Sequence, residues 1–128
     1  MGRMSRNKGK AGEREFAALC RSEGYEAQRT AQNRGKTGEA GDVEGLPGIH
    51  VEVKRTESLR LWDALAQSQR DAAADKRGGL PIVAHRRNNC PWVVIMDAHD
   101  WFTLYRAAES CGGLADIGAV HNTDAESR

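Results

Sequence analysis

The chain has 128 residues, 39% of them hydrophobic and 29% charged, with a formal net charge of +1. That length suits one compact domain around one hydrophobic core, and no apolar run approaches the roughly 20 residues that a membrane-spanning helix needs. The basic first residues lead into no apolar stretch of the kind a secretory signal carries, and Cys20, Cys90 and Cys111 form no C-x-x-C pair, so the expectation is a cytoplasmic protein with reduced thiols, no zinc site and no membrane.

In chain order, the residues from about Lys10 to Glu23 are strong helix formers with Phe16, Leu19 and Cys20 at helical spacing and Gly24 as a stop. Tyr25 to Thr30 alternates weakly like a strand, and AQNRGKTGEAG is a polar, glycine-rich loop that ends at Asp42. Asp42 to Leu46 and Ile49 to Arg55 read as two strands joined at Pro47-Gly48, a pair suited to an antiparallel hairpin. Ser58 is placed to cap a helix reaching about Lys76, with Trp62, Leu65, Ala66, Ala72 and Ala73 near one face and Gly78-Gly79 ending it. LPIVAHR and PWVVIM are β-branched runs on either side of Asn88-Asn89, and DAHDWFTLY is a last amphipathic segment. The order is αβββαββα, in a single domain over 1–107 with a basic N-terminal arm (1–9) and a frayed tail over 108–128 that is poor in large side chains.

Charge is sorted along the chain. Arg3, Arg6, Lys8, Lys10, Arg14, Arg21, Arg29, Arg34 and Lys36 are opposed in that stretch only by Glu13, Glu15, Glu23 and Glu26. Such an excess suits phosphate, and equally suits a solubilising arm.

The residues that carry chemistry centre on Ile49-His50-Val51-Glu52-Val53-Lys54. A period of two puts Ile49, Val51 and Val53 on one face and His50, Glu52 and Lys54 on the other, which is expected to form an exposed polar edge. Across the hairpin Asp42 falls beside Glu52. Two carboxylates and an ammonium then meet, the arrangement that phosphodiester hydrolysis assisted by a hard divalent cation requires. An alternating Glu and Lys pair alone is also an ordinary solvated strand face. Glu13 points toward Phe16, Ala17 and Cys20, where a carboxylate needs a partner such as a hydrated cation, although the first turn of a helix favours acids in any case. Glu15 points to the other side.

GKAGEREFAALCRSEGY, Arg29, Gly41-Asp42 and His50-Val51-Glu52-Val53-Lys54 together resemble the Holliday-junction resolvases of archaeal type and their phage-like relatives, over about residues 8–105. Gly41 stands where that family usually has proline or a small residue. The resemblance implies a restriction-endonuclease-like PD-(D/E)XK fold, a mixed central sheet flanked by helices. It implies a catalytic set of Glu13, Asp42, Glu52, Lys54 and, from the W-x4-Q-x4-A spacing, Gln67. Helical geometry places Gln69 rather than Gln67 on the Trp62 and Leu65 face. Asp42, Glu52, Val53 and Glu13 would hold Mg²⁺, with Mn²⁺ able to substitute. The implied protein is a homodimer that cuts branched or four-way DNA. The basic residues Arg3, Arg6, Lys8, Lys10, Arg29, Arg34, Lys36 and Arg55 are expected, from their charge, to hold that DNA by its phosphates.

His50 beside Glu52 is open to a metal or phosphate role or to none, and His85, His99 and His121 have no ligand spacing. Trp92, Trp101, Phe102 and Tyr105 suit core or dimer packing better than base stacking. Two other functions compete: a nicking or restriction-like nuclease on ordinary duplex, and a DNA-binding module with the nuclease fold but no activity. The length leaves little room for a base-reading domain, and Asp42, Glu52 and Lys54 standing together favour catalysis.

Overall fold

The computed structural model describes residues 3–31, 40–114, 116–118 and 121, with side chains from Gly9 onward in those ranges. The elements are α1 (Arg3–Ser22), β1 (Gln28–Arg29), β2 (Val43–Glu44), β3 (Ile49–Arg55), α2 (Leu61–Ala74), β4 (Leu80–Arg86), β5 (Val93–Ile95) and α3 (Ala98–Ser110), in the order the sequence suggests. They divide into two compact units, Met1–Met96 and Asp97–Arg128. The division falls before α3, not after it. Among the described residues no helix is long and apolar enough to cross a membrane.

The first unit is an α/β fold with a five-stranded mixed sheet, β1-β2-β3-β4-β5, flanked by helices. Its central ladder is β3 against β4, parallel from Ile49↔Leu80 to Arg55↔Arg86; the other pairings are antiparallel. Between β2 and β3, Leu46 accepts from Ile49 N–H at 3.1 Å, and Gly48 adopts φ +85°, so Pro47-Gly48 forms the expected turn. Parallel strands cannot be joined by a turn and need a crossover, which α2 supplies.

Both faces of β3 are covered, one by α1 and the other by the crossover helix. Val51, Ile82, Ala84 and Val43 pack with Phe16, Ala17 and Cys20 of α1, and Trp92 closes that core with its ring 5.1 Å from that of Phe16. On the other face α2 lies close to the sheet through Ala64, Leu65, Ser68 and Ala72, and Ser68 Oγ donates to the Ile82 carbonyl at 3.2 Å. His50 and Glu52 are therefore buried, contrary to the exposed edge that alternation alone suggests.

Two helix starts differ from expectation. Helix α1 begins at Arg3, so the basic segment read as an arm over 1–9 continues the helix. It ends in a Schellman motif, with Tyr25 N–H bonded to Cys20 O (3.1 Å), Gly24 N–H to Arg21 O (3.0 Å), and Gly24 at φ +101°. Helix α2 begins at Leu61 behind Arg60 and not behind Ser58, because the chain spends 56–60 leaving the end of β3. Its small-residue stripe at Ala64, Ser68 and Ala72 also turns Trp62 outward, 79% exposed, so the tryptophan does not mark the buried face.

Glu15, expected to face away from the sheet, ties α1 to it: Arg86 Nη1 donates to its Oε1, and Arg55 Nε lies 3.4 Å from its Oε2. In the second unit Asp97 caps α3 by accepting from Asp100 N–H (2.8 Å), and Trp101 clusters with Phe102 and Tyr105 at 5.0 and 5.3 Å. The three cysteines are free thiols.

Gly12 is the point of closest approach of α1 to β3; a Cβ there would lie 2.5 Å from Arg55 Cβ and 3.7 Å from Val53 Cγ1. Glycine to alanine in a helix ordinarily stabilises by about 1 kcal/mol. Here the overlap with a rigid Cβ outweighs that gain, and Gly12→Ala should destabilise by about 1–3 kcal/mol in urea unfolding. An unchanged or raised midpoint would show that α1 shifts without cost.

Candidate active site

Asp42 stands just before β2 and bonds β3 through both its main chain and its side chain. Its N–H donates to the Val51 carbonyl (2.7 Å), and its carboxylate Oδ2 accepts from Val53 N–H at 2.8 Å. The register Val43↔Val51 makes Asp42 the neighbour of Glu52 across the pair, and the two carboxyl groups share a hydrogen bond. Glu52 is 4% exposed, and its Oε1 is buried with no hydrogen-bond partner among the described residues.

The face of α2 over this pair completes the arrangement. Lys54 Nζ donates to Gln67 Oε1 at 3.1 Å, so of the two glutamines weighed it is Gln67 that reaches the lysine. One turn further on, Asp71 projects from the same helix face and adds its negative charge to the surroundings of Glu52. The sequence reading passed over Asp71. Its signal was available, because an i, i+4 step from Gln67 places it over β3 once Gln67 is given to that face.

These neighbours set the protonation of Glu52. Burial, then the charge and hydrogen bond of Asp42, then the charge of Asp71, push its carboxyl up to about 9, against the smaller pull of Lys54. The metal-free site holds more acid than it can ionise at neutral pH.

The remaining expected site residues lie as follows. Glu13 is bonded by Arg29, Nε to Oε2 at 2.5 Å, so its partner on the helix side is a guanidinium from β1. Among the described residues no group of three or more His, Cys, Asp or Glu side chains comes together to hold a metal ion; Asp42 and Glu52 stand as a pair. His50 turns its Nε2 toward Asp75 Oδ2, 3.6 Å away, and its ring is buried. His85 Nδ1 is 2.9 Å from the Lys54 carbonyl in the parallel ladder.

Of the residues expected to grip DNA, Arg29 is occupied by Glu13. Arg55 is held by Glu15, by Glu57 at 3.6 Å and by Asn88 at 2.9 Å. Lys10 is exposed on α1. The side chains of Arg3, Arg6 and Lys8, and all of Arg34 and Lys36, lie outside the described residues. No protein-family model matches the chain, and no curated protein sequence matches it.

A raised carboxyl makes a definite statement about pH. In the unfolded chain a glutamate releases its proton near pH 4.3, whereas the folded, metal-free site keeps it to about 9. Over that interval the folded state binds more protons than the unfolded one, so the stability contribution is present below about pH 4 and is lost as pH rises toward 9. The melting temperature in EDTA should fall between pH 6 and 9. Glu52→Gln should abolish most of that fall and raise the midpoint at pH 8 by on the order of 5 °C, with Asp71→Asn giving a smaller rise. A parallel pH dependence in parent and Glu52→Gln would remove Glu52 as its source.

Proposed function

We propose that the chain is a Mg²⁺-dependent DNA endonuclease of the PD-(D/E)XK class, with a resolvase-like preference for branched DNA. The observation that carries the reading is the Asp42–Glu52 pair, one of whose buried oxygens has no partner among the described residues, beside a lysine held by a glutamine. Unpaired buried carboxylate is costly, and a cation is the partner that relieves it.

The residues fit a hard divalent cation. Mg²⁺ takes oxygen ligands, needs only one or two protein carboxylates, and keeps several waters. Asp42 and Glu52 would hold it, with the main-chain carbonyl of Val53 as the further oxygen. When bound, such an ion polarises a phosphate and acidifies a water. Lys54 then has the electrostatic role: its ammonium faces the developing negative charge on phosphate oxygens, and Gln67 fixes its direction in advance so that little reorganisation is needed. Asp42 also keeps its Val53 N–H, so the carboxylate cannot swing out of the site without breaking a ladder contact. Cutting branched substrates as a pair of chains is supported by the likeness of the quoted motifs to the junction resolvases.

Asp42→Asn and Glu52→Gln should each abolish cleavage of a four-way junction and weaken Mg²⁺ binding in calorimetry, while the fold persists because both substitutions keep the side chain's shape. Lys54→Ala should lose on the order of 10²–10³-fold in cleavage rate yet bind Mg²⁺ about as well as the parent. Purified protein assayed on junction, flap, duplex and single strand, with Mg²⁺, Mn²⁺, Ca²⁺ or EDTA, tests the whole reading. Cleavage in EDTA, or none on any substrate with Mg²⁺ or Mn²⁺, would remove it.

A further inference from the structure

A cleft of about 470 Å³ opens where β3 leads into α2, and Lys54 and Gln67 of the candidate site form one end of its wall. The rest of that wall includes Thr56, Ser58, Arg60 and Arg70. Among the described residues the lining has a single acid, Asp63, at 3.8 Å from Arg60 in an exposed i, i+3 pair, a weak and salt-screened contact. Arg70 has no ion pair among the described residues, and the Arg60 side chain is 89% exposed. No aromatic ring lines the cleft, so it offers charge and hydroxyls and nothing on which a base could stack.

We infer that this cleft is the track for the DNA backbone on one side of the cut, with Arg60 and Arg70 gripping phosphates and Thr56 and Ser58 donating to them. The inference rests on the nuclease reading above and adds to it the surface that seats the strand. Gln67 and Arg70 are i, i+3 neighbours on α2, and Arg60 is the residue that leads into the helix on the same cleft. Ten residues at 1.5 Å each set the two arginine positions about 15 Å apart along the axis, the axial rise of about four base pairs at about 3.4 Å each. Lys54 and Gln67 line the same cleft, so a backbone lying in it runs up to the lysine of the candidate site. Arg29 and Arg55, occupied by Glu13, Glu15 and Glu57, are less able to give up a carboxylate for a phosphate.

The test uses the full chain carrying Arg60→Gln and Arg70→Gln together, with Ca²⁺ in place of Mg²⁺. Fluorescence anisotropy would follow binding to a labelled four-way DNA junction and to a plain DNA duplex across a salt series. An Arg87→Gln/Arg106→Gln chain, which loses the same charge outside the cleft, is the control. The cleft variant should bind both DNAs about tenfold more weakly at about 0.1 M salt, and its log–log salt slope should flatten by about two units. Its melting temperature and its Mg²⁺ affinity in calorimetry should match the parent's, and the control should change affinity less than about twofold. Parental affinity and slope in the cleft variant would overturn the inference and leave the nuclease reading standing, as would an equal loss in the control. A parent chain that binds neither DNA would overturn both.

Discussion

The hydrogen bond from Val53 N–H to the Asp42 carboxylate joins the fold to the chemistry. It adds a side-chain bond to the main-chain bond from Asp42 N–H to the Val51 carbonyl, so the carboxylate is fixed against β3 just before β2 begins. An aspartate on a mobile loop would turn toward water and away from Glu52. Held against the edge of β3, it is kept next to a second carboxylate that the sheet and α2 have already removed from solvent. The rise in the Glu52 carboxyl, the orphaned oxygen and the directed lysine all follow from that forced proximity.

What the sequence makes legible is mostly local. Strand β3 has the bounds expected from its strict alternation, and strand β4 those of LPIVAHR, because β-branched residues bounded by turn residues carry their own signal. The hairpin at Pro47-Gly48 is equally local, and it brings Asp42 to Glu52 as expected. The parallel pairing of β3 with β4 is a long-range fact, and everything misjudged about burial follows from it. With a helix crossing over the second face, the polar trio is roofed instead of solvated. Trp62 misleads for a related reason. A large aromatic ring invites assignment to the core, whereas the helix is seated by the small side chains of Ala64, Ser68 and Ala72, and the tryptophan is left outside. Using Trp62 as the marker sends Gln69 to the site; using Ala64 sends Gln67, the residue the structure places on Lys54.

Charge shows the same division between sequence and space. A run of basic residues near the N-terminus is conspicuous in the chain, yet two of the arginines assigned to DNA, Arg29 and Arg55, are met by acids from α1 and from the loop after β3. Arg60 and Arg70 draw no notice in the sequence because Asp63, Asp71 and Asp75 balance them within the same segment. Folding separates what the segment average cancels: Asp71 is directed at Glu52, Asp75 at His50 and Arg77, and the two arginines line a common cleft. Net charge over a window is therefore a poor guide to a helix whose faces differ this much.

The cost of the site explains why its parts are distributed as they are. Buried Glu52 with the charges of Asp42 and Asp71 near it destabilises the metal-free fold near neutral pH, and a small domain has only about 5–15 kcal/mol in total to lose. The opposing contributions lie outside the pair itself: the β3–β4 ladder, the α1 core of Phe16, Ala17, Cys20 and Trp92, and the Glu15 bridges to Arg55 and Arg86. The α1 face thus carries the larger apolar core, while the α2 face, packed through Ala64, Leu65, Ser68 and Ala72, also bears the buried carboxylates. On the proposed reading that asymmetry is functional, since the burial that makes Glu52 a poor anion without a cation would make it a strong ligand once a cation restores the balance of charge.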